Sequence, residues 1–164
     1  MDVDVRTLTA DDWQLFREVR LRALADAPDA FGRTLAEASE ESPEQWQAKT
    51  AGRGPIVVVL EGGAPVAMGG VFAPEDDPRA MVWGMWTEPE ARGRGYGARL
   101  LRELVAWCRE QGQPEVLLHV TEGNDAARRL YLAHGFEPTG EWETLRPGSP
   151  LRIEELRLGS AEEL

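Results

Sequence analysis

The sequence predicts a mixed α/β sandwich, one domain over residues 1–159 with element order βααβββαβαββ and helices on both faces of a single sheet. Short alternating or wholly apolar runs of strand length interleave with longer segments whose apolar residues recur at helical spacing. Three strand-like runs follow one another mid-chain with only turn residues between them, which places a hairpin and a further strand ahead of the best helix. A length of 164 residues with 42% hydrophobic content suits one sizeable core. Residues 160–164 read as a disordered tail.

Val3 to Leu8 alternates as a half-buried strand does, and Thr9 precedes Trp13, Phe16, Val19 and Ala23 on one helical face. That pattern stops at Pro28, and Asp29-Ala30-Phe31-Gly32 leads through an acidic stretch to Ser42-Pro43-Glu44-Gln45. This tetrad is a capping box with proline at the first helical position, so a second, short helix carrying Trp46 starts there. Ile56 to Leu60 and Val66 to Phe72 flank Gly62-Gly63, a pair suited to a tight reversal. After the turn Asp76-Asp77-Pro78, Ala80 to Thr87 is apolar at both phases, as a central strand must be.

Leu100, Leu101, Leu104, Val105 and Cys108 form a one-sided stripe that ends near Gly112 and Pro114, the strongest helix signal in the chain. Val116 to Val120 is an apolar strand, and Asn124 caps a helix with Ala127, Leu130 and Tyr131 that stops at Gly135. Two strands, Thr139 to Leu145 and Leu151 to Leu158, close the domain. In the second the alternation Leu151, Ile153, Glu155 jumps to Leu156 and Leu158, which predicts a bulge near Glu154 and Glu155.

The formal charge of −11 disfavours nucleic acid and anionic membranes as main partners and mildly favours a cationic one. The single cysteine, Cys108, has no internal disulfide partner and reads as a buried small hydrophobe. The amino terminus lacks the features of a secretory leader and no apolar run is long enough to span a bilayer, so a cytoplasmic setting is expected.

Chemistry concentrates in Arg92-Gly93-Arg94-Gly95-Tyr96-Gly97, which joins a strand to the strongest helix. The first N–H groups of a helix lack intrahelical partners and lie at its positive dipole end, so this junction is an anion site. The glycines let a phosphate approach the backbone, and Arg92 and Arg94 add cationic donors. The same letters also fit a dinucleotide fingerprint, Gly93-x-Gly95-x-x-Ala98, with Glu122 at a fitting distance. Against that reading, hairpin strands precede the loop and only one further helix is inserted between strands after it. A phosphate-binding loop of the Gly-Lys-Ser/Thr type lacks its terminal residues, and a purely structural glycine turn stays open.

Two segments resemble the GNAT superfamily of acetyl-CoA-dependent N-acetyltransferases. Thr87-Glu88-Pro89-Glu90-Ala91-Arg92-Gly93-Arg94-Gly95-Tyr96-Gly97 is similar to that family's Arg/Gln-x-x-Gly-x-Gly/Ala loop with its upstream proline. Asn124 through Tyr131 to Gly135-Phe136 is similar to its Asn…Tyr…Gly-Phe segment. The resemblance implies a sheet that splays beside Thr87, so that backbone groups of Met85, Trp86 and Thr87 bind the pantetheine arm of acetyl-CoA. It also implies that the loop through Gly97 and Ala98 holds the pyrophosphate, that Asn124 contacts the pantetheine or a water, and that Tyr131 protonates the leaving thiolate. Thr87 stands where the family usually has an apolar residue.

Direct transfer to an amine needs a polarised thioester carbonyl, a proton for sulfur and a route for the amine proton. For the last, Glu122 is the candidate base, with His119, Glu37, Glu40, Glu41 or a water relay as alternatives. Met81, Trp83, Met85 and Trp86 offer an apolar or cation–π wall for the amine, or simple sheet packing, and the Phe31 segment is expected to cover the acceptor. The implied partners are acetyl-CoA as cosubstrate and an amine on a small molecule or peptide, with a homodimer as a further candidate and no metal. A noncatalytic acyl-CoA-binding sensor or scaffold is the alternative, and a nicotinamide-dependent oxidoreductase the third reading.

Overall fold

The structure, a computed structural model, describes residues 2–159; the expected tail at residues 160–164 lies outside them. Seven strands form one mixed sheet in the order β1-β2-β3-β4-β5-β7-β6. In chain order these are β1 (Val3–Thr7), β2 (Ile56–Glu61), β3 (Ala64–Phe72), β4 (Arg79–Thr87), β5 (Glu115–Thr121), β6 (Glu137–Thr144) and β7 (Arg152–Leu158). The helices are α1 (Trp13–Asp26), α2 (Leu35–Ser39), α3 (Pro43–Thr50), α4 (Tyr96–Glu110) and α5 (Asp125–Ala133).

The predicted order holds with one addition. The acidic stretch between the first two expected helices contains the five-residue helix α2, capped by Thr34, whose hydroxyl accepts from Glu37 N while Glu37 Oε1 accepts from Thr34 N at 2.9 Å. Thr34-x-x-Glu37 is the same capping-box pattern as Ser42-x-x-Gln45, but the run behind it is too short and too weakly amphipathic to announce a helix.

The sheet carries an apolar cluster on each face. One holds Leu100, Leu101, Leu104 and Cys108 of α4 with Tyr131 of α5 and Val82, Leu118 and Leu156 of the sheet. The other holds Phe16, Val19 and Ala23 of α1 and Trp46 of α3 against Val58, Met68 and Trp86. Burying both faces explains why β2 and β3 read as nearly continuous apolar runs.

The expected bulge in β7 is not there. Strand β7 pairs with β5 in unbroken register from Val116↔Leu158 to Thr121↔Ile153, and Glu154, Leu156 and Leu158 are its buried positions. The apparent slip arises because Glu154 occupies an inward position normally given to an apolar residue; the residue is 6% exposed and its carboxylate accepts from Arg128 Nε at 2.8 Å and Nη2 at 3.3 Å. The irregularity sits instead in the neighbouring β6, between Pro138 and Trp142.

Two irregularities shape the centre of the sheet. Parallel pairing of β4 with β5 runs only from Arg79↔Glu115 to Met81↔Leu117, so the later halves of both strands diverge. On its other edge β4 shifts register against β3 between Met68 and Gly70. Gly84 stands opposite this shift with φ +67°, a left-handed conformation that side-chain-bearing residues rarely adopt. The extra residue reverses the side-chain phase: Ala80 and Val82 face α4, whereas Trp86 faces α1.

Candidate functional site

A cavity of about 590 Å³ opens where β4 and β5 part. Its walls are the end of β4, the start of α4, the first turns of α5 and the segment after α1. It brings together every residue expected from the sequence to bind the cofactor except Arg94: Met85, Trp86, Thr87, Arg92, Gly93, Gly95, Tyr96, Gly97, Ala98 and Asn124, with Tyr131 beside them.

The α4 end of this cavity presents backbone donors that have no partner within the helix. Gly95 caps α4 in the left-handed conformation, φ +81°, and the first amide bonded back into the cap is that of Arg99, to Gly95 O at 3.0 Å. The amides of Tyr96, Gly97 and Ala98 therefore have no intrahelical acceptor and lie at the positive end of a 15-residue helix. An added Cβ at Gly93 or Gly95 meets no atom within 4 Å, so the glycines serve backbone conformation and leave the approach to these amides open.

The loop arginines are anchored to the protein itself. Arg92 donates through Nη2 to Asp26 Oδ2 at 3.0 Å and through Nε to Thr87 O at 3.0 Å, so that carbonyl is already engaged. Arg94 and the Tyr96 hydroxyl both donate to Glu61 Oε2, which turns the Arg94 side chain toward the end of β2 and out of the cavity lining. Asp26 was invisible in the sequence as a site residue. It closes one side of the cavity by also accepting from Trp86 Nε1 at 2.9 Å, and so ties the α1 end, β4 and the glycine loop together.

Tyr131 is 6% exposed and packs edge-on against Phe136, ring centroids 6.2 Å apart. It borders the cavity, and burial pushes its phenol up to about 12. At neutral pH the hydroxyl is thus fully protonated and able to donate. Asn124 caps α5, its Oδ1 accepting from Ala127 N at 3.4 Å.

None of the candidate bases lines this cavity. Glu122 accepts from Arg152 N at 2.9 Å and from its guanidinium at 3.4 Å. His119 lies 3.8 Å from carboxylate oxygens of both Glu143 and Glu155. Glu37 serves the α2 cap, Glu41 pairs with Arg33 and Lys49, and Glu40 is exposed. Of the β4 wall, Trp83 and Trp86 already carry arginines of the protein over their rings, Arg20 at 5.4 Å and Arg22 at 5.7 Å. Among the described residues no group of three or more His, Cys, Asp or Glu side chains is placed to hold a metal ion.

A family model described as the acetyltransferase (GNAT) family matches residues 16–136, the stretch that runs from α1 through the glycine loop to Phe136. The chain belongs to the GNAT acetyltransferase family. A mycothiol acetyltransferase of Thermobifida fusca (strain YX) is 29% identical over 144 residues, 82% of this chain and 44% of that protein, so the chain spans less than half of that relative's length. Among solved structures, an acetyltransferase of the GNAT family from Streptococcus pneumoniae superposes with a TM-score of 0.77 at 15% identity, covering 95% of this chain and 98% of that one. The Salmonella typhimurium protein yncA, solved with its cofactor acetyl-CoA, gives 0.76 at 18% identity over 97% of this chain and 94% of its own. These structural likenesses establish the GNAT fold; the parted β4 and β5, the bulge at Gly84 and the glycine-capped α4 are this chain's own observations of it.

Proposed function

We propose that the chain is a cytoplasmic N-acetyltransferase that moves the acetyl group of acetyl-CoA directly onto an amine of a small molecule or peptide. The observation that carries this reading is a cavity in which the free amides of α4, the unpaired inner edge of β4 and the protonated Tyr131 line one continuous space. Residues 1–159 act in it as one domain.

Acetyl-CoA supplies an activated thioester. The amides of Tyr96, Gly97 and Ala98 offer donors to its pyrophosphate, and the backbone of Met85 and Trp86, having lost its β5 neighbour, offers strand-like hydrogen bonds to an extended amide-bearing arm. A backbone N–H between Met85 and Thr87 polarises the thioester carbonyl. Asn124 adds a polar contact to the arm or to a water at the cavity edge. As the amine nitrogen bonds to the acetyl carbon and the carbon–sulfur bond breaks, the Tyr131 hydroxyl gives its proton to the sulfur. The amine proton leaves through water: Asp26 is the sole carboxylate lining the cavity among the described residues, and it is committed to Trp86 and Arg92. A role for Glu122 requires it to act over a distance through such a relay, from its pair with Arg152.

Coenzyme A release measured across a panel of amines tests the reading. Tyr131→Phe is expected to lower kcat by about 10²–10⁴-fold, the usual range for a positioned proton donor, with acetyl-CoA affinity nearly unchanged. Because the Tyr131 phenol is held near 12, the wild-type rate should show no alkaline decline below about pH 10. Full turnover in the phenylalanine variant refutes the acid assignment. Tight acetyl-CoA binding with no turnover on any amine points instead to a sensor or scaffold.

A further inference from the structure

A second cavity, about 390 Å³, lies on the α1 and α3 side of the sheet. Its apolar walls include Phe16, Trp46, Ile56 and Trp83. Its charged lining is Arg20, Arg33, Lys49 and Arg53, with no carboxylate among the lining residues, in a protein whose formal charge is −11. Two of these cations share one buried acid. Glu41, its side chain 4% exposed, spends Oε1 on Arg33 and Oε2 on Lys49. Arg53 pairs at the rim with Glu75, whose side chain is 75% exposed.

Arg20 has no carboxylate bonded to it; Glu41, already shared by Arg33 and Lys49, acts on it only through space. The Arg20 guanidinium forms no hydrogen bond or ion pair among the described residues, and Nη1 is sealed from solvent with no acceptor. It lies over the rings of Phe31 at 4.8 Å and Trp83 at 5.4 Å, contacts that offset only part of the lost hydration. Burial, and next the neighbouring Arg33, lowers its pKa to about 10 against the pull of Glu41, so it stays charged at neutral pH. Phe31 borders the first cavity and Trp83 the second, so Arg20 stands at the seam between them. A Cβ on Gly84 would lie 3.3 Å from Arg20 Nη1, which fixes the cation against the bulge of β4, behind the strand edge that faces the thioester.

We propose that the acceptor is an amine bearing a carboxylate and an apolar body, an amino-acid-like molecule, and that Arg20 is the cation that receives the carboxylate. This rests on the N-acetyltransferase reading above. A carboxylate there completes the missing ion pair, its apolar body fills the aromatic-walled cavity, and an amine one or two bonds from the carboxylate is carried to the seam beside β4.

Matched acceptors test it: phenylalanine against phenethylamine and phenylalaninamide, and leucine against isoamylamine, each assayed for coenzyme A release by the full chain. The carboxylate members are expected to show kcat/KM about 10- to 100-fold higher, the range for a charge-assisted hydrogen-bonded pair. Arg20→Met should abolish that preference by raising the acceptor KM while the acetyl-CoA KM holds, and Arg20→Lys should restore part of it. As a readout independent of turnover, N-acetylphenylalanine titrated into the protein–coenzyme A complex should change tryptophan fluorescence at lower concentration than its amide, through Trp46 and Trp83. A preference for amines lacking the carboxylate, a preference that survives Arg20→Met, or equal binding of acid and amide overturns the proposal. Failure to bind coenzyme A at all falsifies the underlying enzyme reading, a separate result.

Discussion

Arg128 on α5 and Glu154 on β7 pair where the GNAT sheet would otherwise bury a charge: Glu154 is 8% exposed at its side chain, Arg128 40%. Removing one partner of a fully buried pair costs roughly 3–5 kcal/mol, and the exposure of Arg128 lets water recover part of that. Arg128→Met is therefore expected to destabilise the protein by about 2 kcal/mol in denaturant melts. Adding Glu154→Leu should recover most of the loss, since matched apolar replacement of such pairs is close to neutral. A single variant as stable as the parent would show that the pair contributes nothing. In the sequence Glu154 looked like a break in strand phase, because alternation counts hydrophobicity and cannot register a carboxylate neutralised by a partner 26 residues away. Gly93 and Gly95 were legible as a candidate anion loop because their spacing at a strand-to-helix junction carries the argument, whereas Tyr131 became a candidate only through the family resemblance. Asp26 and Arg20 were not legible, since each matters through a contact across the fold, Asp26 with Trp86 and Arg92, Arg20 with Phe31 and Trp83.

Strand β4 decides the geometry of the site. Its two-sided apolar composition announced a central position, and the structure puts it fourth of seven. The bulge at Gly84 left no comparable mark, because a lone glycine in a strand is compatible with several backbone states. Without the added residue Trp86 would face α4 and its bond to Asp26 would be lost. Gly84→Ala forces a methyl-bearing residue to φ +67° and brings its Cβ within 3.2 Å of Met68 Cε. The expected loss is about 1–3 kcal/mol, read as a fall of roughly 2–10 °C in melting temperature. Acetyl transfer should fall further than stability alone explains, because the strand edge facing the cavity shifts with the bulge. An alanine variant with parental melting temperature and kcat would mean that the conformation at position 84 is dispensable. Helix α2 shows the same limit of legibility: Thr34 and Glu37 form its cap, yet five residues carry too little periodicity to be recognised.

For the molecule as a whole, net charge and the charge lining one cavity differ in sign. The formal charge is −11, yet the charged residues lining the cavity on the α1 and α3 side are all cations. A surface can keep a protein soluble while a desolvated pocket of opposite sign selects the ligand. Element order was largely readable because hairpin, central strand and glycine-capped helix follow each other with short connections. The parting of β4 from β5 was implied by family resemblance, and its onset after Met81 is visible only in the pairing. All proposals above rest on that parting and on the free amides of α4 forming a coenzyme A site. Calorimetric titration of coenzyme A into the full chain tests this most directly, with NADH and a Gly95→Val variant as controls. Saturable one-to-one binding of coenzyme A, none of NADH, and at least about tenfold weaker binding to the variant, whose valine is strained at φ +81°, are expected. Absence of heat and of saturation with coenzyme A, under conditions where the protein is folded, would contradict the site.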